Sequence, residues 1–584
     1  PKRPRKASAL LLGTALGAIV GMGYGRGAYA QANPLSGSNN STISLTGPGT
    51  FETENGFSVD TSGSGGDGIT IRTAVDEAGD TTFTDTFQGG ITGAASGIDA
   101  RNQGDGALTV TTTGAVEAVN GVGVYAKNGE DLNGFYGDGE GLNSGDPVDP
   151  DNFPKFDSAG TDLTITTNGP VTAFTHGIYG YNNGSGALTI TANGNVTTDS
   201  GDTFRGDAIR AVQRDIYGFE RRNTNFDLAL FEATGTSMSI TAIGDLDAQS
   251  HGVYAFNMGS EGLDVTVTGD IDAESFGMNL DNEYGGDLTV NMVGSISAYA
   301  FGIDARNGSR SPRGQYEGIV SIYVDGSIET EGADGIRGRN RYDGDLKITV
   351  TGDVVSDFEQ GIEAKHRATG NMVINVDGNI TSGKHGVFSE HEGDGDMSIT
   401  SEGTIDAGST PGHAGIHAAV ENGNSGDITI TASDTFGVGR GVHARQRGLG
   451  SIEIDATGRI EGGHFSGVDA KANSGTADIV ISVEDVAKVG TTTFGSATES
   501  HAIKAIHEGM GALSITSTGD VTDEINGAGI YARASGVGAS DAVDLAGNSL
   551  DGVSLAIEAN NVTGGTDGIN AVNDGDGALS ITTS

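Results

Sequence analysis

The chain of 584 residues contains no cysteine, no tryptophan and only 10 prolines. With no cysteine there can be no disulfide, so stability has to come from packing and backbone ladders. Hydrophobic residues make up only 35%, too thin for several compact layered cores. Bases are scarce as well: 32 against 78 acids, a net charge of −46. Such a surface repels phosphate backbones and sets nucleic acid partners aside. After residue 30 no helical period of useful length occurs, and so many glycines and β-branched residues oppose helix formation. Nucleophile elbows, phosphate-binding loops and zinc-protease signatures are missing from the same stretch.

The first thirty residues differ in kind. "PKRPRK" is basic, "ASALLLGTALGAIVGMG" is apolar, and "AYA" at residues 28–30 supplies an A-x-A processing signal. That order predicts a secretory signal peptide over 1–30, and hence an exported protein. A cysteine-free chain also suits passage through a second membrane while unfolded. The opening on Pro1 and the close in mid-phrase at "ALSITTS" are expected of a piece of a longer protein.

What the chain has in excess is glycine, 99 residues, and repetition. "GIDARN" at 97–102 returns verbatim at 302–307. The anchor G-[IVM]-x-A or a near variant occurs sixteen times from Ile98 to Ile569, with looser copies at Ile209 and Ile503, many of them 25 to 27 residues apart. Between anchors runs [LIM]-x-[IV]-x-x-x-G-x-[VI], as in "LTITANGNV" (188–196). Each unit thus holds three short alternating segments separated by Gly/Asn/Asp turns, a strand pattern. Three strands per 25-residue turn is the requirement of a β-solenoid, whose coils bury their inward residues only by stacking. The expected fold is all-β: a right-handed parallel β-helix of about sixteen coils over 91–584, with capping and first irregular coils over 31–90. Insertions are expected at 129–160, 214–235, 309–317, 408–413, 490–500 and 535–552, four of them leaving the corner after the GI-x-A strand.

A signal peptide followed by cysteine-free coils of the "GIYGYNNGSGALTITANGNV" type resembles the passenger of a bacterial type V autotransporter. The likeness covers roughly 60–584. It implies a rod displayed on the outer surface of a Gram-negative cell and a C-terminal translocator barrel, no trace of which occurs in this sequence. The partners it implies are host or neighbouring-cell surface molecules, polysaccharide, or other copies of the chain.

The x position of GI-x-A should form an outward column with rungs about 4.8 Å apart. Three of its subsets invite chemistry. Asp304 and Glu363, two rungs apart, could be a polysaccharide-cleaving pair, but Arg337 between them makes an ion ladder the simpler reading. His417, His443 and Asp469 have the residue types of a metal site, yet parallel side chains do not converge, and solvated surface histidines are the expectation. Tyr125, Tyr179 and Tyr254 could stack on sugar rings or a protein partner. "RGD" at Arg205, Gly206 and Asp207 resembles an adhesive tripeptide. "GSGGDG" (63–68) resembles part of a calcium-binding repeat, but its nine-residue period does not continue. No catalytic residue, metal or cofactor is expected. If the facing is right, Ile303→Asp should break the stack and Asp304→Ser should be nearly silent. The functional expectation is an adhesive stalk; the alternative is a carbohydrate-active enzyme on the same fold.

Overall fold

The computed structural model describes residues 35–584 apart from 55–56, 75–76, 87, 130–159, 200–205, 214–235, 309–315, 422, 424, 474–476, 491–499, 524, 526, 536–553 and 575–576. The expected signal peptide lies outside the described residues. So do all or most of five insertions; the sixth, 408–413, is a described turn.

All strand pairing in the described chain is parallel, and between the two end coils each strand pairs with strands of the coils before and after it. The GI-x-A segments align residue for residue: Ile69, Ile98, Val124 and Ile178 lie in one row across four coils. This first ladder contains eighteen strands, from Ile43–Thr46 to Ile569–Asn573. Two of them, Ile43–Thr46 and Ile69–Thr73, come from the stretch expected to cap the rod, and they stack in the common register. A second ladder joins the L-x-I segments, with Leu108, Leu163, Leu188 and Met238 in one row. A third joins Val116, Val171, Val196 and Leu246. In the last coils the second and third segments run together, as in Ile452–Gly462 and Leu513–Asp523. The fold is a parallel β-helix, and eighteen rungs give a rod on the order of 80 Å long.

One continuous core runs from Leu45 to Ala559 along the rod interior. Alternation does this: Ile303 and Ala305 are 0% exposed, as are their counterparts Ile336 and Ile362 in the next coils. A wholly buried isoleucine contributes about 2–3 kcal/mol. The glycine opening the motif has a steric cause. A Cβ on Gly302 would stand 2.4 Å from Ile328 Cγ2 and 2.5 Å from the Gly335 carbonyl oxygen, where the third strand turns tightly into the first.

The last residue of the five-residue strand is also inward, and in many coils it is polar. Asn102, Asn128, Asn257, Asn282, Asn307 and Asn340 are all at most 1% exposed. Each amide serves the coil above or the turn beside it. Asn257 Nδ2 donates to Asn282 Oδ1 at 2.8 Å, and Asn282 Nδ2 to Asn307 Oδ1 at 3.0 Å. Farther along, His366 and His391 take the same position, with Nε2 facing the Gly344 and Gly370 carbonyls at 2.6 and 2.8 Å. A buried polar row is tolerable only when its members are satisfied in this way.

The Asp-rich corners act similarly on the outside. Asp245 Oδ1 accepts the Asp270 N–H at 3.1 Å, and Asp270 Oδ1 accepts that of Ser295 at 2.9 Å. In "GSGGDG", Asp67 Oδ1 takes the Ser96 N–H at 2.9 Å, a coil-to-coil bond rather than an arrangement for calcium.

Candidate functional site

Chemistry concentrates on the outer face of the first ladder. Rungs there are closer together than the width of an aromatic ring or guanidinium, so neighbours lie over one another. Arg101 sits 5.1 Å from the Tyr125 ring, Tyr125 meets Tyr179 edge-on at 5.2 Å, and Arg210 lies 5.6 Å from Tyr179 and 4.3 Å from Tyr254. The three tyrosines predicted from sequence are thus joined by Arg210 into one half-exposed stripe. Tyr179 and Tyr254, with Tyr181, also flank a small cluster of Val212, Phe256, Met258 and Tyr284. Val212 and Phe256 stand in the adjoining outward column, so this cluster packs against the side of the stripe.

Phe276 and Phe301, at the corner preceding the column, continue the aromatic run. His251 lies 5.1 Å from Phe276, which stacks on Phe301 at 5.1 Å, and Arg337 covers Phe301 at 3.8 Å. The column alone did not reveal these residues. The signal was present three residues before each x position, where His176, Asp207, His251, Phe276, Phe301 and Asp334 recur.

The tripeptide reading of 205–207 is corrected by the same corner. Arg205 lies outside the described residues, and Gly206 is buried. Asp207 is 1% exposed. Its carboxylate is bound by Arg210 Nη1 at 2.8 Å and His251 Nδ1 at 2.6 Å, with His176 Nδ1 at 3.4 Å. Burial pushes its pKa up, but the bond from His251 and the charges around it outweigh burial and hold the carboxyl below its usual value. A carboxylate so enclosed cannot be offered to a receptor; it orients Arg210 between the tyrosines.

The outward column is not solvated as expected. Asp304 is 1% exposed, Glu363 6%, His443 7%. Arg337 Nε donates to Asp304 Oδ1 at 2.8 Å and its second nitrogen binds Oδ2, so the acid is doubly clamped. Glu363 instead binds Arg339 and Lys365 at 2.8 and 3.0 Å. Burial raises its pKa, but Arg339 and then Lys365 outweigh burial and lower it. The expected ion ladder is there between Asp304 and Arg337, and Glu363 takes its cations from the neighbouring column. Asp334, at the corner beside them, is pushed up to about 7 by burial and then by the charge of Glu363. Its Oδ1 accepts the Gln360 N–H at 3.1 Å.

The histidines form a packed row. His417 stacks on Phe388 at 4.9 Å and meets His443 Nδ1 to Nδ1 at 2.9 Å, while Arg445 Nε donates to His443 Nε2 at 2.7 Å. Burial first, then the neighbouring histidine or arginine charges, hold both imidazoles well below their usual pKa. Asp469 is taken by Arg440 at 2.8 Å. Among the described residues no three His, Asp or Glu side chains converge as a metal ion would require. Compared with known protein families, characterised proteins and solved structures, the chain matches none.

Proposed function

We propose that the chain is an exported cell-surface stalk of the autotransporter passenger type, making adhesive contacts with polysaccharide or with surface molecules of a host or neighbouring cell. The observation that carries this reading is the Tyr125–Tyr179–Arg210–Tyr254 stripe. Aromatic faces interleaved with a guanidinium stack on sugar rings and on apolar protein edges. Here they lie half-exposed on a rod that is otherwise acidic, so the stripe is a local place for approach. Many rods on one surface add such weak contacts into avidity.

The test is adhesion of cells displaying the full chain to glycan-coated and host-matrix-coated surfaces. The triple variant Tyr125→Ala/Tyr179→Ala/Tyr254→Ala should lose at least about tenfold in bound cells, since multivalency amplifies each lost contact. Adhesion unchanged in the triple variant would reject the stripe as the contact face. Clumping of the displaying cells in the absence of any coated surface would assign the contact to a second copy of the chain.

A further inference from the structure

The inward end of the third ladder is a column of small residues: Ala298, Thr330, Ser356, Ser382, Ala407 and Gly437 lie in register on successive rungs. The column then breaks its rule twice. Gly462 is followed by Lys488, and Lys488 by Asp523. Both side chains are 0% exposed. Lysine and aspartate are almost never fully buried unless paired, and this pair is poorly made. Nζ stands 3.4 Å from Asp523 Oδ1, longer than a charge-assisted bond should be. Oδ1 is also held by the Ile525 N–H at 3.0 Å. Oδ2 has no partner among the described residues. A half-satisfied ion pair in a dry interior costs more in desolvation than its attraction returns.

The geometry points to a covalent outcome: we infer that Lys488 and Asp523 condense into an intramolecular isopeptide bond joining adjacent coils. The Nζ lone pair of the neutral amine attacks Cγ of the neutral carboxylic acid, forming the N–C bond. Oδ2 leaves as water, taking its own proton and one from Nζ. An amide remains, with Oδ1 as its carbonyl oxygen. No oxidant or cofactor is required. Transfer of one proton from Nζ to the carboxylate turns the ion pair into the amine and acid that react. Nζ lies 3.4 Å from Oδ1, the oxygen bonded to the carbon it attacks. The Ile525 N–H marks Oδ1 as the oxygen that stays, and the unpartnered Oδ2 is the one that departs. Burial and then Lys504 push the nearby His501 down to about 4, so it is neutral near pH 7 and does not compete as a cation for the carboxylate. The product removes two buried charges and the orphaned oxygen together, and it crosslinks a chain that has no cysteine.

The experiment is a tryptic map, under denaturing conditions, of the folded full chain. With the bond, trypsin cannot cleave after Lys488, and 472–504 appears joined to 505–533, lighter than the two together by one water. Asp523→Ala and Lys488→Met, in whatever folded fraction they give, should release the two halves. Cleavage after Lys488 in the folded wild-type chain, with 505–533 recovered at its full mass, overturns the proposal without reference to any variant.

Discussion

Replacing Asp304 by serine tests how the outer face is held. Asp304 is almost wholly buried, and both its oxygens are bound by Arg337, whose side chain keeps 17% of its exposure and lies over Phe301. Breaking a buried pair by removing one partner costs about 3–5 kcal/mol. The guanidinium regains part of that from water through its exposed edge, so the expected loss is about 2–3 kcal/mol. Arg337→Met should cost a similar amount, because among the described residues it leaves Asp304 with only Arg306 at 3.7 Å. The double variant strands neither charge and should cost about 1 kcal/mol, giving a coupling of at least about 1.5 kcal/mol. Coils of a solenoid open locally, so the assay is native-state hydrogen exchange of the amides over 296–340 rather than a global melt. Exchange there should quicken about 30-fold or more in Asp304→Ser. Ile303→Asp, which puts an unpaired charge in the core, should cost about 4 kcal/mol or more. Asp304→Ser within about 0.5 kcal/mol of wild type, or simple additivity with Arg337→Met, would refute the reasoning.

Asn282→Ala removes the donor to Asn307 Oδ1 and to the Gly285 and Gly286 carbonyls, and should cost about 2–4 kcal/mol. Exchange should quicken on both flanking coils, at 257 and 307, and a response confined to 282 would count against a connected row. His391 is fully buried and held down to about 4 by burial and then His366, against 6.5 for a free imidazole. The unfolded chain therefore takes up its proton first, so stability is complete above about pH 6.5 and falls as pH drops toward 4. His391→Gln should flatten this slope in melting curves from pH 7 to 4, because Gln446 does the equivalent work with its Nε2 on the Gly426 carbonyl at 2.6 Å. Asp334 runs the other way: its raised pKa, about 7 against 3.8, makes stability fall as pH rises through that window. Asp334→Asn should stabilise the rod at pH 8 by about 1–3 kcal/mol and have little effect at pH 4, and a loss at pH 8 would contradict the assigned environment.

The fold was legible because apolar residues recur at alternate positions over three short segments per coil. Ile98, Leu108 and Val116 announce a ladder each. The outer face was less legible for a geometric reason. A single strand shows that Asp304 points away from the core, but not that the next rung brings a guanidinium down upon it. Burial there is a property of neighbouring coils 25 or more residues distant in the chain. The same holds for Asp207, whose carboxylate turns out to serve His251 and Arg210. The asparagine of "GIDARN" was in plain view, yet polar residues beside glycine read as turn formers, so its inward row was not foreseen. Lys488 and Asp523 carried their own signal: charged side chains on successive rungs of a column that runs through Ala, Ser, Thr and Gly from Ala298 to Gly462.

The asparagine row has one further consequence, for how the coils find their alignment. A slip of one residue between coils turns every side chain to the wrong face and is forbidden by hydrophobicity alone. A slip of two residues is not, since inward remains inward and isoleucine merely lands beside alanine. The row forbids that error. Displaced by two, Asn282 would face an aliphatic neighbour with its amide unmet, whereas in register it meets Asn257 and Asn307. The alternating apolar residues decide which side of each strand is the inside, and the buried amides decide which residue stands above which.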